Sequence, residues 1–361
     1  MTEQLANKIE KSIALLKQAE QLAMMYDPEH GFYLAFSGGK DSQVLYHIAE
    51  LAGVKFQAHM NLTSVDPPEV IRFVKTNYPN VILHKPKTSI YKMAVKKGIL
   101  PSKKIRWCCA EFKENAGAGK VTLLGIRREE STRRAARNEV EVSSRAFSGN
   151  LQEFEIFQEK RRSNKRIKKI QLNPSVANQE GITKESIVGC ITGKESILIS
   201  PIIEWTQKEV WEFLNNIAKV PHCSLYDKGD KRIGCILCPM SNLRQKRKDI
   251  QEHPHAKHKW IQAIIEIRRG GGITRHKYQT TKELRSEEVW PTIHTARILP
   301  RTPMDEDTAG FLDSPSGKNA GGADKEQEIA ENIFDWWISG KSYEKWYADR
   351  FLQQTIKFEK S

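Results

Sequence analysis

An apolar run, a glycine-bearing loop and the start of a helix follow one another near the N-terminus, and this succession constrains the fold most. Residues 32–36 are predicted to form a buried strand, and residues 43–51 carry apolar side chains at helical spacing. Between them lies the loop Ser37-Gly38-Gly39-Lys40-Asp41-Ser42. Glycines let the backbone turn tightly, and the first N–H groups of a helix attract anions. The succession therefore predicts an anion site, and a phosphate chain is the natural ligand.

The side chains of the loop support the same prediction. Lys40 adds a full positive charge, and Ser37 and Ser42 add hydroxyl donors. The alternative is an ordinary strand-to-helix turn, because glycine and serine are common in loops. The string differs from the two familiar glycine-rich nucleotide loops. It resembles the PP-loop of the ATP pyrophosphatases, which cleave ATP between the α and β phosphates and adenylate a substrate. The resemblance implies that residues 37–42 hold pyrophosphate.

Apolar runs alternate with helical segments through the first two thirds of the chain. Strands are predicted at residues 32–36, 55–60, 81–83, 121–125 and 197–203. Helices are predicted at residues 3–25, 43–51, 67–77 and 206–215. Strands that alternate with helices predict an α/β fold, a doubly wound parallel sheet with helices on both faces.

The pattern also predicts how the chain is divided. An N-terminal helix in residues 1–30 precedes an α/β domain in residues 31–242, and a mainly helical region occupies residues 243–361. Residues 138–198 are polar, basic and without helical periodicity, so we interpret them as an insertion. Residues 334–347 are predicted to form an aromatic amphipathic helix that docks on the body of the protein.

The charge of the chain is large and uneven. Its formal net charge is +14 at pH 7, with seven basic residues in 160–169 and five arginines in 127–137. Such patches suit a polyanion, and nucleic acid is the first candidate partner. A solvated charged loop explains residues 160–169 equally well.

The chain has no sequence feature of a membrane or secreted protein. No segment reaches the roughly 18 unbroken apolar residues of a membrane helix, and residues 1–10 are polar and of mixed charge. We therefore expect a soluble cytoplasmic protein without a membrane partner. The oligomeric state stays open, and an oligomer is compatible with the sequence.

Six cysteines, without a secretory signal, favour metal or redox chemistry over structural disulfides. They are Cys108, Cys109, Cys190, Cys223, Cys235 and Cys238. Cys235 and Cys238 form a Cys-x-x-Cys turn, which is ambiguous between a redox pair, half a zinc site and half an iron–sulfur site. The adjacent pair Cys108-Cys109 suits a cluster of several irons better than one metal ion. Cys223 is a fifth candidate ligand, and we assign no chemical role to Cys190.

Four segments after the loop resemble the phosphoadenosine-phosphosulfate reductase family. They are its tandem-cysteine, Gly-x-Arg-x-x-x-Ser, Pro-x-x-x-Trp and second cysteine-pair segments. In this chain they are Arg106–Lys113, Gly125–Ser131, Pro201–Trp205 with Val210-Trp211, and Leu225–Asp227 through Arg232–Pro239. The resemblance covers roughly residues 30–242 and implies the PP-loop fold, also described as adenine nucleotide alpha-hydrolase-like.

The resemblance also implies ligands for a metal centre. In family members with both cysteine pairs, the pairs hold a 4Fe–4S cluster next to the nucleotide. This implies Cys108, Cys109, Cys235 and Cys238 as ligands here, with Cys223 able to replace one of the tandem pair. A zinc site is the alternative to the cluster.

Further residues are expected at the nucleotide. The resemblance places Gly125 and its neighbours beside it, and Arg127 and Arg128 would neutralise charge developing on the phosphates. Asp41 would orient Lys40 or help to hold a Mg²⁺ ion through water. The end of the second strand is where this fold contacts the nucleotide, which predicts a binding role for Asn61. ATP and Mg²⁺ are thus the expected cofactors, and Lys40, Asp41 and Arg127 the expected catalytic residues.

Two departures from the family bear on the reaction. The sulfonucleotide reductases carry a modified loop, whereas this chain keeps the Gly-Gly-Lys-Asp core of the ATP-cleaving enzymes. They also use a cysteine near the C-terminus, and no cysteine follows Cys238 here. The leading hypothesis is therefore an ATP pyrophosphatase that activates a substrate for sulfur transfer from a donor protein or thiol, with nucleic acid as the expected substrate. The alternatives are a sulfonucleotide reductase that uses an external thiol and a non-catalytic module that senses ATP and binds nucleic acid.

Overall fold

The structure, a computed structural model, describes residues 2–114, 117–143, 148–149, 196–270, 320–341 and 345–346. Cys190 and the basic stretch 160–169 lie outside these residues, as does most of the predicted insertion.

Within the described residues, the strands form one seven-stranded sheet. They are β1 Phe32–Ala35, β2 Phe56–Asn61, β3 Ile82–His84, β4 Val121–Leu124, β5 Val140–Ser143, β6 Ser148–Gly149 and β7 Ser196–Ile199. The order across the sheet is β3-β2-β1-β4-β7-β5-β6, and the first five strands in this order are parallel. The chain runs outward from β1 to β3 and then returns to place β4 on the other side of β1. This reversal confirms the predicted doubly wound α/β fold.

The helices of the described part connect and flank these strands. They are α1 Glu3–Tyr26, α2 Lys40–Ala52, α3 Pro68–Asn77, α4 Ile90–Lys97, α5 Trp107–Cys109, α6 Thr132–Ala135, α7 Gln207–Glu212, α8 Leu243–Glu252, α9 Pro254–Arg268 and α10 Ala320–Ser339. Two of them continue as π-helical turns, α5 into Ala110–Glu114 and α7 into Phe213–Ala218. None of the described helices combines the length and apolarity needed to cross a bilayer.

The chain divides into two compact units that interleave along the sequence. The first comprises residues 1–62, 66–85 and 111–233, and the second comprises residues 63–65, 86–110 and 234–361. The sheet belongs to the first unit. The predicted domain boundaries at residues 30 and 242 follow chain order and stay a prediction.

The first unit is built around the apolar face of β1. Phe32 and Leu34 are fully buried there and belong to the same core as Leu16 and Leu22 of α1. The helix α1 begins where Thr2 accepts a hydrogen bond from the Leu5 N–H, which caps one of its free donors. Burial of this helical face is the main reason that a 24-residue segment stays helical.

In its described residues, the second unit is mainly helical and has its own aromatic core. The helices α4, α8 and α10 pack against α9. Trp260 of α9 is 1% exposed, and its ring lies 4.9 Å from the rings of both Tyr91 and Trp337. Phe334 of α10 is also fully buried. The aromatic residues of α10 are therefore packed in the core of this unit. The helix does not follow the predicted range 334–347: it ends at Ser339, because Gly340 adopts φ +66°.

The start of the predicted insertion belongs to the sheet. Val140–Ser143 pairs antiparallel with β7, and Val142 is fully buried. The polar composition of residues 138–198 concealed this strand, because a four-residue strand next to the edge of the sheet needs only one or two apolar side chains. The predicted strand 197–203 is shorter than expected, since β7 ends at Ile199 and a turn follows.

The opposite face of the sheet carries a row of polar side chains. His59 stacks on Tyr33 with ring centroids 4.1 Å apart, and its Nδ1 lies 2.9 Å from His84 Nε2. His59 is 6% exposed, and its Nε2 is buried without a hydrogen-bond partner among the described residues. Burial, with smaller effects from His84, Lys120 and His30, lowers the pKa of His59 to about 4. Neutral imidazole is thus the form that the fold stabilises.

This burial predicts an acid-sensitive fold. The pKa of His59 falls from 6.5 in the unfolded chain to about 4 in the folded one, so the unfolded state takes up the proton first. The stability contributed by neutral His59 is therefore complete above pH 6.5 and is lost as the pH falls towards 4. We expect a loss on the order of 3 kcal/mol in the free energy of unfolding. Urea unfolding at several pH values measures it, and an equally steep acid loss in His59→Leu would contradict the assignment.

Candidate functional site

The loop after β1 is shaped by a glycine that no other residue can replace without strain. Gly38 adopts φ +71°, a conformation that L side chains rarely adopt. A Cβ atom at this position would also lie 2.8 Å from Val70 Cγ1 and 2.9 Å from Val74 Cγ2. The loop thus packs directly onto α3, which is possible only without a side chain at residue 38.

The two serines of the loop bond within the loop. Ser42 Oγ donates to the Gly39 carbonyl at 2.8 Å and accepts from the Ser37 N–H at 3.2 Å. Ser37 Oγ donates to Ser42 Oγ at 3.2 Å. The hydroxyl hydrogens predicted to contact phosphate therefore hold the loop in its turn in this structure.

The first turn of α2 has an unusual cap. Gly39 occupies the N-cap position and has no side chain to accept a hydrogen bond. The Lys40 N–H is instead accepted by the hydroxyl of Tyr226 at 2.9 Å, from a residue 186 positions further along the chain. The Lys40 ammonium lies 5.9 Å from the centre of the same ring. Tyr226 thus contacts both the backbone and the charge of Lys40.

A chain of alternating charges crosses the loop. Lys40 Nζ lies 3.1 Å from one carboxylate oxygen of Asp41, and Arg127 Nε lies 2.6 Å from the other. Arg127 Nη1 also donates to Glu129 at 2.8 Å. Burial by itself would lower the pKa of Arg127, but Asp41 and Glu129 raise it above its usual value. Asp41 thus contacts both Lys40 and Arg127, one with each carboxylate oxygen.

A second glycine lets β4 approach the loop. Gly125 directly follows β4, which lies beside β1 in the sheet. A Cβ atom at residue 125 would lie 2.9 Å from the Asp41 carbonyl oxygen and 3.2 Å from the Ser42 nitrogen. The segment 125–127 and the loop are thus in direct backbone contact where the strand order reverses, which is where ligands bind in such sheets.

Three of the other four arginines in residues 127–137 form ion pairs within the protein. Arg128 pairs with Glu204, and its guanidinium is 39% exposed. Arg134 pairs with Glu130, and Arg137 with Glu141. The basic appearance of residues 127–137 is thus largely balanced by nearby carboxylates. Arg128, predicted beside the phosphates, contacts Glu204 in the structure.

Asn61 lies at the expected end of β2. It is the last residue of that strand, and its Nδ2 donates to the Tyr33 hydroxyl at 3.2 Å. Because β1 and β2 are parallel neighbours, their carboxyl ends lie at the same edge of the sheet. Asn61 and the loop that follows β1 therefore share one edge.

The cysteine pairs belong to the second unit, where the turn of Cys235 and Cys238 is held by three hydrogen bonds. The Cys238 N–H donates to the Cys235 carbonyl at 3.2 Å, and the Ile236 N–H donates to the Val65 carbonyl at 2.8 Å. Leu237 adopts φ +55°, and its N–H donates to Asp249 Oδ2 at 2.8 Å. This strained turn orients the two thiols.

The thiols of the two pairs lie close enough to affect one another. A hydrogen bond with Cys109, burial, and the charges of Cys109, Cys238 and Cys235 raise the pKa of the Cys108 thiol. Arg106 Nη2 lies 3.3 Å from Cys109 Sγ, where its charge stabilises a thiolate. These thiols are the side chains that would hold a metal centre, whose positive charge would have to offset the disfavoured thiolate of Cys108.

Two further observations bear on this centre. The buried indole N–H of Trp107, next to Cys108, has no hydrogen-bond acceptor among the described residues. In the same part of the chain, no group of three or more His, Cys, Asp or Glu side chains has the arrangement of a metal site.

Cys223 lies in a different environment. It belongs to the hydrophobic core of the first unit and is 1% exposed. Burial raises the pKa of its thiol, and the pKa of Cys108 is raised too, so the direction of the shift does not separate the two cysteines. This environment is typical of a structural cysteine, and a role of Cys223 as a fifth ligand stays a prediction.

Comparison with known proteins agrees with this geometry. The family described as the phosphoadenosine phosphosulfate reductase domain matches residues 31–241. The chain belongs to this family. The resemblance carried by the loop and the four later segments is thereby confirmed.

Its similarity to individual proteins of known sequence or structure is limited. One uncharacterized protein of Methanocaldococcus jannaschii is 36% identical over 73 residues, which are 20% of this chain and 15% of that protein. A second from the same organism is 26% identical over 267 residues, 70% of this chain and 52% of that protein. The chain thus spans about half, or less, of the length of these relatives.

Two solved structures resemble the chain weakly. Phosphoadenylyl-sulfate reductase from Candida auris matches with a TM-score of 0.35 and 15% identity, over 65% of this chain and 96% of that one. FMN adenylyltransferase from Candida glabrata matches with a TM-score of 0.37 and 12% identity, over 64% of each chain.

Two residues of this phosphoadenosine phosphosulfate reductase family member were not predicted to have a role. Tyr226 contacts the phosphate loop, and Asp249 holds the second cysteine turn. Tyr226 lies within a segment that resembles the family, which was the one available signal. Asp249 lies on an ordinary polar helix, and no pattern around it distinguishes it from other acidic residues.

Proposed function

We propose that this member of the phosphoadenosine phosphosulfate reductase family is an ATP pyrophosphatase that adenylates a substrate for sulfur transfer, with nucleic acid as the substrate class. The observation that carries the proposal is the contact chain from Lys40 through Asp41 to Arg127, built on an unmodified Gly-Gly-Lys-Asp loop. It supports binding of the triphosphate of ATP, because it presents a buried ammonium at the start of a helix.

The residues of the loop would act on the leaving group. A substrate oxygen attacks the α-phosphorus of ATP, the bond from that phosphorus to the bridging oxygen breaks, and pyrophosphate leaves with the electron pair. Lys40 would neutralise the charge that develops on pyrophosphate. Both carboxylate oxygens of Asp41 are engaged by Lys40 and Arg127, so a Mg²⁺ ion would be held mainly by the phosphates.

The sulfur step would use the second unit. A hydrosulfide ion delivered by a donor displaces AMP from the adenylated substrate: the bond from the substrate to sulfur forms as its bond to the AMP oxygen breaks, and AMP leaves with the electron pair. Cys108, Cys109, Cys235 and Cys238 would hold a 4Fe–4S cluster, which when bound supplies iron to which sulfur binds. Asp249 would keep the second pair oriented through the Leu237 N–H. Zinc on the same thiols is the alternative.

A second candidate is reduction of a sulfonucleotide with an external thiol, which the family match itself favours. Its signature is sulfite formed from phosphoadenosine phosphosulfate in the presence of thioredoxin. The third hypothesis, a module that binds ATP and nucleic acid without turnover, would give tight ATP binding and no products.

Product analysis with labelled ATP tests the proposal. With RNA and DNA supplied as acceptors, we expect AMP and pyrophosphate to form, and Lys40→Ala to lower the rate about 100-fold or more. The matched control is Lys11→Ala, because Lys11 is 60% exposed and pairs loosely with Glu139 at 3.6 Å. Formation of ADP and phosphate instead of pyrophosphate would contradict the proposal.

A further inference from the structure

The hydroxyl of Tyr226 occupies a position where a ligand of the loop would be expected. It accepts the Lys40 N–H at 2.9 Å, and a Cβ atom at Gly39 would lie 3.4 Å from it. The backbone N–H groups at the start of a helix are the usual donors to a bound phosphate. One of these donors is thus used by a tyrosine that is already part of the protein.

We propose that Tyr226 is a phosphate-binding residue, which rests on the proposed function of the loop. Its oxygen accepts the Lys40 N–H, and its own hydrogen is donated to a β- or γ-phosphate oxygen. The tyrosine thereby replaces a backbone donor by a hydroxyl donor further from the helix. This hydroxyl and the Lys40 ammonium together bind the phosphate chain.

The hydroxyl is equipped for both bonds at once. A phenol has one hydrogen to donate and lone pairs to accept with. Among the described residues, the Lys40 N–H uses a lone pair, and no acceptor receives the hydrogen. Burial, and to a lesser extent the charge of Asp41, raises the pKa of Tyr226 despite the hydrogen bond from Lys40. The hydroxyl therefore stays protonated and keeps its hydrogen for a phosphate.

The ring is held firmly enough to place this hydroxyl. It packs edge-on against Trp211, with ring centroids 5.0 Å apart and an angle of 89°. The Tyr226 N–H donates to the Cys223 carbonyl at 3.0 Å, which ties the segment to the core. A donor that is oriented before the ligand arrives loses little entropy on binding.

The variant Tyr226→Phe isolates the hydroxyl, because it keeps the ring packing and the contact with the Lys40 ammonium. Isothermal titration of the full chain with pyrophosphate, ATP and AMP measures its contribution. We expect affinity for pyrophosphate and ATP to fall about 10-fold, as for loss of a hydrogen bond to a charged group, and affinity for AMP to change little. The matched control is Tyr46→Phe, a buried tyrosine on α2, the helix that begins at Lys40.

The outcomes separate the inference from the function on which it rests. If the unaltered protein binds neither ATP nor pyrophosphate, the proposed function fails. If it binds both and Tyr226→Phe binds pyrophosphate equally or more tightly, the tyrosine is only a helix cap or an obstruction, and the inference fails. A lower melting temperature with unchanged pyrophosphate affinity would likewise show a structural role alone.

Discussion

Replacing Arg127 by methionine is expected to lower the free energy of unfolding by about 3 kcal/mol, whereas Arg128→Met should cost less than about 1 kcal/mol. The two arginines are neighbours in sequence and both pair with carboxylates. Arg127 has a side chain that is 3% exposed, and it holds Asp41 and Glu129. Its removal leaves the Asp41 carboxylate, 16% exposed, with Lys40 as its remaining partner among the described ion pairs. The Arg128 pair is 39% and 43% exposed and is screened by water.

Urea unfolding of the two variants measures this difference. Asp41→Asn in the Arg127→Met background should recover part of the loss, because it removes the carboxylate left without its arginine. The Arg127 variant should also release pyrophosphate from ATP more slowly, since Asp41 no longer has a fixed orientation for Lys40. Equal losses of stability in the Arg127 and Arg128 variants would show that burial of the ion pair does not increase its contribution to the free energy of unfolding.

Replacing Cys235 by serine is expected to abolish binding of metal at the proposed thiolate centre, whereas Cys223→Ala should leave that binding intact. Cys235 belongs to the turn that Asp249 and Val65 orient, and its charge acts on Cys108. Loss of one thiolate of four weakens a cluster or a zinc site severely, because serine is a poor ligand at neutral pH. Cys223 lies among apolar side chains, where its loss leaves only a small cavity.

Metal and sulfide analysis, with the absorption spectrum, reads out both variants. A brown protein that absorbs near 400 nm and bleaches on reduction would establish the iron–sulfur cluster. A colourless protein that contains zinc would instead establish the zinc site. Iron retained in Cys235→Ser, or lost in a folded Cys223→Ala, would overturn the ligand set. Unfolding curves distinguish loss of metal from loss of the fold.

Local features of the fold could be predicted from the sequence, because interactions between residues adjacent along the chain determine them. The string from Ser37 to Ser42 lies between a buried apolar strand and a helix, so its turn follows from neighbours in sequence. Alternation of strands and helices predicted the doubly wound sheet, which the strand order confirms. The strand Val140–Ser143 was missed because its one fully buried side chain, Val142, is too weak a pattern in a polar stretch.

The side-chain contacts within the candidate site could not be predicted from the sequence, because the residues that make them come from distant parts of the chain. The order of segments placed Arg127 near the loop but did not show that it holds Asp41 rather than a phosphate. The exposure of Arg128 and the burial of Cys223 depend on which elements pack around them. The type of side chain alone does not determine this packing.

The sequence by itself determined the phosphate loop, the α/β class and the family, since each rests on residues adjacent along the chain. Only the tertiary structure decided that Tyr226 caps the helix of Lys40 from 186 residues away. It also decided that Asp249 orients the second cysteine pair and that four of the five arginines in 127–137 pair with carboxylates. The physical reason is that hydrogen bonds and ion pairs depend on distances of about 3 Å in space, which folding sets and residue spacing along the chain does not.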